Sequence, residues 1–228
     1  MTTPTPPYIA LPLRPHIALG LAELTARARS GLTDKDKKIG ADLLADAYTD
    51  VLEHTFVELL RALDQAHPDP ELKEGFRLME DIQEKIHHYL GWVVGFFASE
   101  RLIPVIGHFN EVTCRRGDDG QACAVFRISP KLAADAERVL AELCEGRADS
   151  LDEGAELMIK VIEAALDTLV HRPKDLMKFN FLVNKTLDGV IGLIFKYVRH
   201  MVRRLAGHLP RASHPVVGRH LAQFLVVG

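Results

Sequence analysis

Ile86–Ser99 reads IHHYLGWVVGFFAS, and its reading decides how the chain is built. The run contains no Asp, Glu, Lys or Arg, and Gly91 and Gly95 stand at the spacing G-x-x-x-G. A helix that is apolar nearly all round is buried on more than one side. Glycines four apart let a second helix approach the backbone closely, and their cost in helix stability calls for a packing reason. The run is shorter than the ~20 apolar residues that span a bilayer. It is read as the centre of a helical domain or the wall of an apolar pocket.

Outward from this run, apolar residues recur at spacings of three and four, so the fold class expected is all-α. The spacing predicts an antiparallel helical bundle of about six or seven helices. One helix follows Pro15 and stops near Gly31. A second starts from Thr33 as N-cap, with Asp36 completing an acidic capping box, and runs to His67-Pro68. A third runs from Pro70 to before Pro104. Residues 112–128 form two strand-like runs around a turn rich in Gly and Asp, which predicts a small β-hairpin. Ser129-Pro130 then opens a helix that ends at Gly146. Ser150 with Glu153 opens another, closed by His171-Arg172-Pro173. A long helix from about Asp175 to Ala206 and a last one from Ser213 to Val227 complete the chain. The helices over 70–98 and 175–206 are expected to be central, since both hold glycines and surplus apolar surface. Residues 1–15 are read as an extended arm and 16–228 as a single helical domain, with no internal repeat evident.

The 228 residues are 47% hydrophobic and 26% charged, with a formal net charge of −3. That charge argues against nucleic acid as a partner, because phosphate contacts need a basic surface. The N-terminus lacks the basic and apolar regions of a secretory signal, and three cysteines make no disulfide framework in a chain this long. A cytoplasmic protein without a transmembrane span is expected.

Four constellations invite a chemical reading. Asp42, Asp46, Asp50, His54 and Glu58 stand four apart and form one slanting stripe on the second helix. Asp46, Asp50 and His54 are the metal candidates there, although a solvated helix face is expected, with Asp46→Ala and Asp50→Ala nearly neutral. Glu84-x-x-His87 has the spacing used by di-iron bundles but occurs once, where such sites need two. His87 and His88 could also suggest a haem ligand, and the sequence specifies no cofactor. Cys114 and Cys123 fall opposite each other if Gly117–Gly120 form the hairpin loop, at a separation near that of a disulfide, which makes them a candidate bridge. The late helix is loaded toward its end with Lys196, Arg199, Arg203 and Arg204, which complement the helix dipole.

No G-x-S-x-G, H-E-x-x-H, P-loop or dinucleotide fingerprint is present. A non-catalytic binding or sensor protein for a hydrophobic small molecule is therefore expected. Its wall would comprise Tyr89, Trp92, Phe96, Phe97, Phe179, Ile194 and Phe195, with His88 or His108 as polar anchor. The alternative is a structural or regulatory interaction protein that uses the same apolar surface as a seam for a partner helix or a homodimer. A magnesium- or iron-dependent helical enzyme stands third.

Overall fold

A computed structural model describes residues 5, 7–95, 101–116, 120–147 and 150–227, with the side chains of 90–95 and 150 excepted. The helical class holds, with a small four-stranded antiparallel sheet added to it. The chain runs β1 (Tyr8–Pro12), α1 (Pro15–Ala28), α2 (Asp34–Leu52), a π-turn (Glu53–Val57), α3 (Glu58–Ala66), α4 (Pro70–Gly95), α5 (Ile103–Glu111) and β2 (Thr113–Arg116). It continues through β3 (Gln121–Arg127), α6 (Pro130–Cys144), α7 (Ser150–Leu166), a second π-turn (Asp167–His171) and α8 (Arg172–Leu176). α9 (Phe181–His208), α10 (His214–Ala222) and β4 (Leu225–Val226) follow.

The expected arm is corrected at Tyr8–Pro12, which is an inner strand of the sheet. β1 pairs with β3 from Tyr8↔Arg127 to Pro12↔Cys123, and with β4 through Tyr8↔Val226. The sheet order is β2-β3-β1-β4. Alternation puts Ile9, Leu11, Leu13, Ala124 and Phe126 into the main core with α1, α2 and α5. Tyr8, Ala10, Cys114, Cys123 and Val125 form a second buried cluster on the opposite face.

The same succession occurs twice: strand, helix, helix with π-turn, long helix, short helix, strand. The sheet order is unchanged when the halves are exchanged, as in a two-fold arrangement about the β1–β3 pair. Each half lends its last strand to the other, β2 to β3 and β4 to β1. α5 likewise packs on α8, and α10 on α3. Local matches support the duplication. Pro15 and Pro130 sit in the first turn of α1 and α6. Gly31 and Gly146 follow those helices with φ +91° and +74°, a conformation that favours glycine. Pro104-Val105-Ile106-Gly107 in α5 answers Pro215-Val216-Val217-Gly218 in α10. The repeat is not evident in the sequence because little beyond these turns and caps is shared.

Boundaries shift in two further places, and one helix is less central than expected. α5 occupies a stretch with no predicted helix, and Pro104 in its first turn is compatible with that position. Pro173 does not end the preceding helix, since the second π-turn carries the chain into α8. α9 is central only near its C-terminal end: Val198, Met201 and Val202 are buried, while Phe181, Leu182, Leu193 and Tyr197 are exposed.

The capping box on α2 forms as expected. The Thr33 hydroxyl accepts from the Asp36 backbone N–H at 3.2 Å, and the Asp36 carboxylate accepts from the Thr33 backbone N–H at 2.9 Å. Hydrogen bonds from the Thr33 hydroxyl and backbone N–H, then from Arg27, lower the Asp36 pKa to about 2. A carboxyl depressed in the folded state stabilises above its unfolded pKa, and that contribution is lost as pH falls through the folded value. Wild-type melting temperature is therefore expected to fall more steeply than that of Asp36→Asn between about pH 4 and pH 2. Parallel declines in thermal melts would show that the box does not couple to acid.

Candidate functional site

A cavity of about 390 Å³ lies between the helices, within the size range of small-molecule sites. Its wall draws on α2 and α3 (Val51, Leu59), α7 (Met158, Ile162) and α9 (Val190, Ile194). Both π-turns also contribute, through Thr55 and Phe56 from the first and Leu169 and Val170 from the second. Apolar side chains make up nearly all of the wall. Lys174, on α8 just after the second π-turn, is the one charged residue among the described lining residues.

The π-turns are held by side chains from other elements. A π-turn bonds i to i+5, which disturbs the i to i+4 ladder and leaves carbonyls for outside donors. His108 on α5 donates from Nε2 to the Thr168 carbonyl at 2.8 Å. His220 on α10 donates from Nε2 to the His54 carbonyl, also at 2.8 Å. His54 and Thr168 each occupy the second position of their turn, so the two acceptors correspond across the halves, while the donor histidines are offset by one residue. Tyr48 adds a third by donating its hydroxyl to the Leu169 carbonyl. Burial pushes the Tyr48 phenol up and lowers the His220 pKa, so each is held in its neutral form at neutral pH. The Thr55 hydroxyl oxygen is buried and has no hydrogen-bond partner among the described residues.

Of the residues expected to form an apolar wall, Tyr89, Phe179, Ile194 and Phe195 line the cavity. Arg199 stacks over the Phe195 ring at 5.0 Å. The Trp92 side chain and all of Phe96 and Phe97 lie outside the described residues, as do the side-chain surroundings of Gly91 and Gly95. Neither His88 nor His108, the two expected anchors, is among the described lining residues. His88 is exposed, edge-on to Tyr89, and does not reach the cavity. His108 is occupied with the Thr168 carbonyl and packs edge-on against Phe109.

The acidic stripe is not a uniformly solvated face. Asp42 is exposed, but Asp50 is buried and accepts two hydrogen bonds from Arg14, from the backbone N–H and from Nε, each at 2.7 Å. Asp46 pairs with Arg14 at 3.0 Å and with His16 at 3.1 Å. Burial opposes ionisation of Asp46, but the His16 hydrogen bond and the Arg14 charge outweigh it and hold the pKa low. His54 pairs with Glu58 at 2.9 Å. Glu84 is exposed, and exposed His87 shares a 3.2 Å hydrogen bond with the Thr49 hydroxyl. Among the described residues no group of three or more His, Cys, Asp or Glu side chains could hold a metal ion.

Cys114 and Cys123 stand directly opposite in the β2–β3 ladder, both buried and both thiols. Burial pushes the Cys114 thiol up. The basic end of α9 is answered inside the molecule: Arg204 pairs with Glu71 at 2.6 Å and Glu74 at 2.7 Å, Arg203 with Glu156 at 2.7 Å, and Arg199 with Glu163 at 3.8 Å. No described helix is long and apolar enough to cross a membrane.

Thr55, Lys174 and the π-turns have no signal in the sequence that marks them. A π-turn has no residue signature, and Lys174 sits in an ordinary mixed stretch, HRPKDLMK. The chain matches no protein-family model, no curated protein and no solved structure.

Proposed function

We propose that this protein binds an apolar small molecule in the cavity between α2–α3, α7 and α9. The observation that carries the reading is the apolar wall around about 390 Å³. Filling such a space with protein side chains stabilises a core, so a persistent cavity is a cost that binding would justify. Burial of apolar ligand surface contributes ~25 cal/mol per Å².

A thermal-shift screen tests it. An apolar compound at a hundred times its dissociation constant adds ~2.7 kcal/mol, which for a chain of this length raises the melting temperature by roughly 5–11 °C. Ala165→Phe, which projects a ring from the wall, should abolish the shift without lowering the melting temperature. A folded protein that no apolar compound stabilises would refute the reading.

The exposed apolar residues of α9 favour a second reading, a seam for a partner helix or a second copy. Phe181 is 81% exposed and Leu182 72%. Sedimentation helps to separate the two: a dimer that Leu193→Asp dissociates, in a protein that no apolar compound stabilises, would favour the seam.

A further inference from the structure

Lys174 is the one charged residue among the described residues of the wall, and its setting suggests the head group of the ligand. The Lys174 side chain is only 13% exposed, although lysine is among the residues least often buried without a partner. Its ammonium lies 2.6 Å from Asp188 Oδ1, and Asp175 at 3.9 Å is beyond hydrogen-bond reach. An ammonium has three donors, and Asp188 is its one hydrogen-bond acceptor among the described residues. Asp188 itself is 52% exposed on α9. It can turn into water at small cost, because an ion pair with a solvated partner is worth only ~0–1 kcal/mol. Lys174 has no such freedom, since a covered charge needs an anion beside it.

On the reading proposed above, we infer that the cavity takes a single-chain amphiphile with a carboxylate head, the class of the fatty acids. Lys174 holds the head through charge-assisted hydrogen bonds. The chain lies among the apolar residues of α7 and α9, where Met158, Ile162, Val190 and Ile194 line the space. Asp188 is the resident anion with which the ligand carboxylate competes for the ammonium. A neutral alcohol of the same chain would satisfy the apolar wall equally well and gain nothing from the charge of Lys174.

Calorimetric titration of the full chain with lauric acid and with lauryl alcohol, both below micelle formation, tests this. Wild type is expected to bind the acid about tenfold more tightly than the alcohol. Lys174→Met, which keeps the length and apolar stem of the side chain, should remove that preference. Lys174→Arg should retain the preference. Asp188→Asn, by removing the competing anion, should tighten acid binding severalfold and leave the alcohol alone. Equal affinity of wild type for acid and alcohol, or a preference that survives in Lys174→Met, overturns the head-group assignment while apolar binding stands. Binding of neither compound overturns the cavity reading and this inference with it.

Discussion

Asp50→Ala should lower the melting temperature by roughly 4–12 °C at neutral pH, far more than its neighbours on the same stripe. The Asp50 side chain is 7% exposed, and its two oxygens accept from the backbone N–H and the Nε of Arg14. Arg14 sits at the junction of β1 and α1, so these bonds fasten the sheet to the helices. Hydrogen bonds to a charged group contribute ~1.5–3 kcal/mol. A buried pair broken from one side costs ~3–5 kcal/mol, discounted here because Arg14 is 48% exposed and recovers water. A loss of about 2–3 kcal/mol follows. Asp46→Ala should cost at most ~1 kcal/mol, since both of its partners are half in solvent. Asp42→Ala should stay within ~0.5 kcal/mol. Equal melting temperatures for all three variants would defeat the distinction.

Gly218→Ala and Gly107→Ala should move stability in opposite directions, although the two glycines occupy matching places in α10 and α5. A Cβ at Gly218 would stand 2.8 Å from the Cys144 backbone nitrogen and 3.0 Å from Leu143 Cβ. These atoms belong to α6 and cannot swing aside, so overpacking costs ~1–3 kcal/mol. The gain in helix propensity, ~1 kcal/mol, does not offset the upper part of that range. A Cβ at Gly107 meets nothing within 4 Å, so that variant should gain ~0.5–1 kcal/mol. Thermal melts of both variants decide it, and destabilisation of both would show that α5 is packed more closely than its open flank indicates. Gly189 and Gly192, which share the late helix with its apolar surplus, are likewise open. A glycine in a helix thus has opposite meanings that spacing alone does not separate.

The elements with the strongest local signals are legible in the amino-acid sequence itself. The Thr33–Asp36 box, the Ser129–Pro130 start and the Cys114↔Cys123 register are set by neighbours in sequence. The strand at Tyr8–Pro12 is not legible, because YIALP is short, contains proline and becomes a strand only when β3 and β4 flank it. The burial of Asp50 is hidden for the same reason. Its periodicity is that of a surface stripe, and its partner Arg14 stands 36 residues away. Four of the cavity residues are marked by their apolar periodicity on α4 and α9, or lie nearby in the case of Phe179. Lys174 and Thr55 are not, since a polar residue beside a cavity resembles one beside water until the chain is folded.

The interlocking of the two halves also sets an order of events during synthesis. β1 leaves the ribosome before the strands it pairs with, since its first neighbour begins at Gln121 and its second at Leu225. Until β3 has been made both of its edges stay open, the condition in which strands join with other chains. Closing the sheet then joins segments more than two hundred residues apart, a contact of very high sequence separation that forms slowly. A nascent chain stalled before β4 would hold most of its helices and still present an unpaired strand edge, the kind of surface that holding chaperones recognise.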